Sequence, residues 1–574
     1  MNTRTTSKAE RNSSRKGGDA GDSGESGKSR SFEIRSGAVD QYGRHWVEVT
    51  DGRNNCWLQT IDLAGGGSAA LSILDKAGIV LLSPRSLREL ANAAEGWHEF
   101  RKVSILDRPG WWGSSFLHGS GKLISSAGKE APIVSLLPIE KYSCKGSVKD
   151  WLSAFTPLLV GQDALLVALG LAYLPPLIGI LRETDLAISN PIFEWCGRSS
   201  TGKTTGGVKL PGSVWGYKDD GVLGFGESWF ATTSGIVELL DVHRGSLLCL
   251  DEAQLAHDNK QQRAETVKRV IHVIEKGMAK TTQNTGPIAS AADLVCVSTS
   301  NDPLETYLRD SPEAVESVFA RMITFRIPST SRHGILKVLP KGFQSSGAAI
   351  DAINGAITQY HGVPAVRFLK RLVAELESNR AGLINRIRKL RDKMLMAMGI
   401  EPGDGVAYRR AKPYALAYAA TALARCYGVL PTKREVGSYR DAFIEVWAWT
   451  KHDTEKDSRQ RPTPREAIHD YFTRHQGIFL RSSPDRPMSR KEFKNCAGFV
   501  HKKRSGETEL LLSPWKFSRH FGFTRDELAE LNNNRILVGE GGKKPRNDNK
   551  RCVRSNLKGK KVKDRVFVIR IDRL

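Results

Sequence analysis

An apolar strand, Ile192 to Cys196, runs into Gly197-Arg198-Ser199-Ser200-Thr201-Gly202-Lys203-Thr204, and a helix-forming stretch follows. Gly-x4-Gly-Lys-Thr between a strand and a helix is a phosphate-gripping pattern. Glycines let backbone N–H groups turn inward around an anion, and the helix N-terminus adds partial positive charge. Lys203 brings a full charge to the β- and γ-phosphates, and Thr204 offers a hydroxyl to Mg²⁺. The cofactors this chemistry calls for are ATP and Mg²⁺. The residues expected around the nucleotide are Gly197, Ser199, Ser200, Thr201, Gly202, Lys203, Thr204 and Thr205.

Three further signals follow in order. Ser246 to Glu252 (SLLCLDE) is an apolar strand ending in two acids. After a phosphate loop, Asp251 is expected to join Thr204 in supporting Mg²⁺, and Glu252 to take a proton from the attacking water. Asp293 to Ser298 (DLVCVS) is another apolar strand, leading to Asn301-Asp302-Pro303. Asn301 at that tip is placed to orient water or sense the γ-phosphate, although Asn-Asp-Pro also makes a plain turn. Arg321 stands directly before the strand Met322 to Phe325. In ring-shaped ATPases an Arg there reaches a neighbouring subunit's nucleotide and steadies charge on its γ-phosphate, although taken alone it reads as a surface or salt-bridging residue.

These residues need a scaffold. From Pro191 to about Pro328, short apolar strands alternate with helical stretches, which predicts a parallel α/β sheet with the chemistry at strand ends. The expected fold class is multidomain α/β: a P-loop parallel sheet with a helical lid, a β-rich N-terminal domain and a C-terminal winged-helix-like domain. Residues 1–30, rich in Ser, Gly, Lys and Arg, read as a disordered basic tail. Residues 31–145, with runs such as HWVEV and GIVLL broken by turn formers, read as a β-rich or α+β domain. Within it, Trp111-Trp112 is a packing pair more readily than a stacking platform. Residues 146–330 form the P-loop domain with its leading helices, and residues 331–455 a helical lid containing the amphipathic run VRFLKRLVAELESNRAGLINRIRKLRDKMLMAM.

Beyond the charged linker KHDTEKDSRQRPTPR, residues 464–574 read as helix, turn and helix, basic loop and strand. The two-helix unit is expected over Leu511 to Phe521 and Thr524 to Asn532, and wing strands at Ile536-Leu537-Val538 and RVFVIRI. The loop holds Lys543, Lys544, Arg546, Lys550, Arg551, Arg554, Lys558, Lys560, Lys561 and Lys563. Such density suits salt-sensitive contact with nucleic-acid phosphates, though charge runs are often only solvated insertions.

Composition agrees with a polyanionic partner. In 574 residues, 86 Lys+Arg stand against 62 Asp+Glu, a net charge of +24. The eight cysteines show no CxxC or CxxxH spacing, so free thiols in a reducing cytoplasm fit better than disulfides or a zinc site. The polar N-terminus carries no signal-peptide pattern. Ala164 to Leu181 is uncharged and long enough for a membrane span, but Pro175-Pro176 interrupts it; it reads as a buried hairpin of core helices, with no membrane partner.

Taken together, GSVKDWL, GRSSTGKTT, PGSVWG, ESWFATTSGIVELL, LLCLDE and GMAK (Gly277 to Lys280) resemble the domain of unknown function nine-two-seven, found in proteins of bacterial mobile elements and phages. The resemblance extends from roughly Ser31 to Pro328. That family resembles, more distantly, the minichromosome-maintenance-like AAA+ helicases, which form hexameric rings around DNA. The resemblance implies a pore hairpin within Ile274 to Ala292, with Lys276 and Lys280 as candidate DNA contacts. It also implies a second-sensor segment at Tyr408-Arg409-Arg410, where either arginine is eligible. Asn301-Asp302-Pro303 carries one residue more than the Asn-Pro of those helicases, and Ala320-Arg321-Met322 replaces their Ser-Arg-Phe. The expectation is an ATP-dependent DNA helicase or translocase working as a homo-oligomeric ring in replication of a phage or mobile element. Its rivals are an ATP-switched replication initiator that binds without unwinding, and a defence-system NTPase.

Overall fold

The computed structural model describes residues 32–81, 83–125, 131–219, 222–256, 260–278, 291–308, 322–401, 405–450, 464–474, 479–481, 498–503, 505–513, 517, 520–521, 523, 525–537, 551–557 and 560–573. Contacts divide the chain into two units, Met1–Thr450 and Lys451–Leu574.

In the first unit, β1 (Glu33–Val39), β2 (His45–Thr50) and β3 (Asn55–Gln59) form an antiparallel meander, and β4 (Phe100–Lys102) joins β1 in parallel. Helices Ser68–Lys76 and Pro84–Glu95 close a core of Val47, Val49, Leu58, Leu74 and Leu90. The second helix starts where sequence rules place a start: Pro84 is at its first turn, and Ser83 Oγ accepts the Ser86 N–H at 3.1 Å. The arrangement is α+β. GIVLL makes no strand over its described residues, 78–81. Gly78, at φ +78°, ends the preceding helix, and Ile79 N–H returns to Leu74 O at 2.8 Å. Ile79 thus seals the helix end and is buried, while Val80 is exposed.

Short strands β5 (Ile105–Leu106), β6 (Gly110–Trp112), β7 (Ser115–Leu117), β8 (Leu123–Ile124) and β9 (Ile133–Val134) lead toward the central layer. Trp111 and Trp112 are half-buried in β6. Their indole N–H groups donate to Pro176 O and Arg108 O, and Trp111 meets Phe116 edge to face. They pack, as the simpler reading had it.

The central sheet is wholly parallel, from β10 (Ile192–Cys196), β11 (Glu227–Ser228), β12 (Leu247–Asp251), β13 (Val295–Ser300) and β14 (Met322–Arg326), in the order β11-β12-β13-β10-β14. Every residue of β10, β12 and β13 is buried, which requires cover on both faces and explains their continuous apolar character. Alternation divides the side chains. Phe193, Trp195, Leu247, Cys249, Val295 and Val297 enter one core, while Ile192, Leu248, Leu250 and Cys296 enter the other. Helices Thr233–Val242 and Lys260–Lys276 cover the second face.

The first face carries the larger core. Helices Asp163–Leu171 and Pro175–Leu181 bend by 47° at the break before Pro175, with almost every side chain buried in that core. This is a bent pair rather than a hairpin. Among the described residues, no single helix is long and apolar enough to cross a membrane. Ser346–Gln359, Val363–Ala397, Gly405–Cys426 and Tyr439–Ala448 contribute to the same core. Val363–Ala397 is broken at Asn379, whose side-chain oxygen accepts the Gly382 N–H at 2.9 Å and restarts the helix.

The second unit is richer in strands than its sequence predicts. β15 (Phe479–Arg481), β16 (Gly498–Lys502), β17 (Thr508–Leu512), β18 (Arg551–Leu557) and β19 (Lys560–Arg570) form a sheet in the order β15-β16-β17-β19-β18. Helices Pro464–Arg474 and Arg525–Asn533 accompany it, with Ile468, Leu510, Leu531 and Ile569 in its core. Leu511 and Leu512 end a strand instead of opening a helix. Much of the expected basic loop is a hairpin: β18 and β19 pair antiparallel from Arg551↔Val566 to Leu557↔Lys560. Leu537 makes one bridge to Ile569.

Candidate active site

The phosphate-loop segment leaves β10 at the carboxyl edge of the sheet, where open α/β folds place their ligands. Ser200 and Gly202 adopt positive φ, +63° and +81°, the backbone conformation from which anion-binding nests are built. A side chain at position 202 would also strike Ile350, 2.9 Å from an added Cβ. The chain then enters a π-helical stretch, Thr204–Lys209, continued by Leu210–Gly212. Such wide turns recur at functional sites.

Lys203 is 8% exposed. Its ammonium donates to Gly197 O at 2.6 Å, Arg198 O at 2.7 Å and Asn301 Oδ1 at 3.1 Å. Burial draws its pKa down, while Cys196, Asp251 and Glu252 pull the other way. The Asn301 contact depends on strand order. Because β13 lies between β10 and β12, its tip overhangs both the loop and the acidic strand.

Thr204 Oγ1 donates to both Asp251 oxygens, at 3.1 and 3.2 Å. Thr299 Oγ1 also donates to Asp251 Oδ1, and it accepts the Glu252 N–H at 3.1 Å. The hydroxyl and carboxylate make a hard-oxygen pair that fits Mg²⁺, which takes one or two carboxylates and completes its shell with phosphates and water. Glu252 has φ +62° and ψ 65°, a costly conformation for a residue with a Cβ. The turn presents its exposed side chain to the cavity while Asp251 stays buried.

The cavity holds about 450 Å³. Its walls include Ser199 to Thr205, Glu252, Gln254 and Thr299 to Asn301. Ser331, Arg332, His333, Gly334, Ser346, Gly347 and Ile350 also line it, and no sequence motif marks them. Gly334 explains the close fit: its φ is +67°, and an added Cβ would lie 2.3 Å from Thr201 O. Ile335 N–H donates to Thr201 O at 2.8 Å. His333 Nδ1 and Ser346 Oγ lie 3.2 Å apart. No spacing rule marks this segment; only folding brings it to the loop.

Two buried polar residues brace the strand tips. Trp229, in the ESWFATTSGIVELL segment, donates its indole N–H to Ser298 Oγ at 2.9 Å and its backbone N–H to Asp251 O at 3.1 Å. Glu194 is fully buried in β10. It accepts from Ser300 Oγ (2.5 Å), Leu304 N–H (2.9 Å) and Thr324 Oγ1 (2.7 Å), tying together β10, β13 and β14. Burial pushes its carboxyl up to about 7; the three hydrogen bonds oppose this and Glu305 adds to it.

Other expected residues fall elsewhere. Arg321, Lys280, Lys543, Lys544, Arg546 and Lys550 lie outside the described residues. Lys276 is exposed at the end of helix Lys260–Lys276, away from the cavity. The Asn190 amide donates to Ile274 O and Ala292 O. Neither Arg409 nor Arg410 lines the cavity; burial lowers the pKa of Arg410. Arg551, Lys560 and Lys561 belong to the β18–β19 hairpin of the second unit.

Residues 28–286 match the family model described as "Domain of unknown function (DUF927)", so the resemblance carried by the motifs holds over that segment. No curated protein matches the chain. A solved structure described as "SCCmec type IV Cch - active helicase" is similar in fold, with a TM-score of 0.51 and 15% identity over 94% of this chain and 93% of that one.

Proposed function

We propose that this chain, whose residues 28–286 carry that family's domain, is an ATP-hydrolysing DNA helicase or translocase of a mobile element or phage. The observation that carries the reading is the convergence of Lys203, Thr204 and Asn301 at one cavity on the carboxyl edge of a parallel sheet, with Asp251 held on Thr204 beneath it. The fold likeness to a protein described as an active helicase supports it.

In this reading the central sheet is an AAA+-like motor and the helices after β14 are its lid. The second unit is a winged-helix-like DNA-binding element, with contacts on Arg551, Lys560 and Lys561 beside Lys543, Lys544, Arg546 and Lys550. The nest N–H groups and Lys203 hold the triphosphate and take up charge at its β- and γ-phosphates. Thr204 and Asp251 would hold Mg²⁺, which would supply Lewis acidity at the site. Glu252 accepts the proton of the attacking water, and Asn301 orients that water. Arg321 reaches the next subunit's site in a homo-oligomeric ring, hexameric by the resemblance, and Lys276 and Lys280 face its DNA.

Strand displacement tests this directly. The wild-type chain with Mg-ATP should separate a forked duplex, and Glu252→Gln should bind the fork without separating it. Wild-type binding with no displacement would reject the motor and leave an ATP-switched initiator.

A further inference from the structure

A second cavity, about 440 Å³, lies away from the nucleotide site, between the β7–β8 region and the start of helix Val363–Ala397. Val363 and Val366 on the helix and Tyr142 and Cys144 opposite form its largely apolar floor. Its rim is cationic: Lys122 on one wall, Arg367 and Lys370 on the other, all three exposed. Among the described residues no carboxylate lines the cavity, and none of the three cations has an ion-pair partner. Other arginines of this unit differ. Arg182, Arg244, Arg326 and Arg388 are each held by an acid.

The groove is preformed. Lys145 and His361 exchange backbone hydrogen bonds at 2.9 and 3.2 Å. Gly362, at φ +73°, lets that segment approach so closely that an added Cβ would lie 2.3 Å from Ser143 O. The floor therefore does not depend on an occupant to shape it.

We propose that this groove binds single-stranded nucleic acid, with Lys122, Arg367 and Lys370 on phosphates and the apolar floor beneath a base. Arg367 and Lys370 are three residues apart on the helix, roughly 4.5 Å along the axis, close enough to serve neighbouring phosphates of one strand. Unpaired cations keep their full attraction for a polyanion, and an apolar floor carries no hydrogen-bonding code with which to select among bases. The surface adds a contact separate from Lys276, Lys280 and the β18–β19 hairpin. It needs no bound nucleotide, so it stands or falls independently of the ATPase reading.

The test uses the full chain without ATP and a fluorescein-labelled oligodeoxythymidylate. Anisotropy titrations are run across a salt series for wild type and for Lys122→Ala/Arg367→Ala/Lys370→Ala. Three lost phosphate contacts should lower the slope of log affinity against log salt by about 2, since each single-strand contact contributes about 0.7. The charge-keeping Lys122→Arg/Arg367→Lys/Lys370→Arg should retain the wild-type slope, which separates lost contact from lost fold. Cys144 gives a second readout. In a chain with Cys426, Cys496 and Cys552 changed to Ser, saturating oligonucleotide should slow maleimide labelling of Cys144 at least several-fold. An unchanged slope in the alanine variant, or Cys144 labelling indifferent to saturating oligonucleotide, overturns the proposal.

Discussion

Glu194→Gln is a sharp test of how the strand tips are held. The wild-type carboxylate is fully buried and accepts from Ser300, Leu304 and Thr324. Gln can keep the same network: its oxygen accepts from Ser300 and the Leu304 N–H, and its NH₂ donates to Thr324 Oγ1. What changes is the charge. The carboxyl titrates near 7 in the folded chain against an ordinary 4.5. A raised carboxylate pKa means that the folded state binds the proton more tightly. The group's favourable contribution is therefore complete below pH 4.5 and is lost as pH rises through about 7. The gap corresponds to at most about 3 kcal/mol. Glu194→Gln should match wild type near pH 5 and exceed it near pH 8. Thermal unfolding of the full chain at the two pH values reads this as a gain of a few °C, about 1–2 °C per kcal/mol for a unit this large. An equal offset at both pH values, or a less stable variant at pH 8, would refute the charge argument.

Other expectations follow from the same geometry. Glu252→Gly relieves a left-handed conformation that costs about 1 kcal/mol, partly offset by glycine's freedom in the unfolded chain. Thermal stability should hold or rise slightly while hydrolysis falls about 10²- to 10⁴-fold; a clear loss of stability would contradict the strain argument. Thr299→Val removes a hydroxyl that serves both Asp251 and the Glu252 N–H. It should cost about 1–3 kcal/mol and raise the Mg²⁺ needed for half-maximal hydrolysis, and an unchanged Mg²⁺ requirement would remove Thr299 from the site. Arg321→Ala subunits mixed with wild type should depress hydrolysis more than dilution does if Arg321 acts across an interface; strict proportionality places it elsewhere.

Much of the site is legible because buried parallel strands must be apolar throughout. IFEWC, LLCLD and VCVSTS therefore stand out, and the chemistry-bearing residues follow directly at their ends. Glu194 escapes this logic: a glutamate within an apolar strand gives no sign of the three donors that folding brings from positions 300, 304 and 324. Arg332 and His333 escape for the related reason that they reach the cavity only by chain reversal after β14. GIVLL misleads because an apolar run that seals a helix end looks like a strand. The β18–β19 hairpin is hidden because it is built from backbone pairing, and its dense charges mask the period-two pattern. Strand order, which sets Asn301 over Lys203, is a property of the assembled sheet alone.

The measurement closest to the central claim is steady-state ATP hydrolysis by the full chain, with and without single-stranded DNA, with Lys203→Ala as control. DNA should stimulate hydrolysis severalfold, and Lys203→Ala should abolish it. Hydrolysis indifferent to DNA, or unchanged in Lys203→Ala, would contradict that claim.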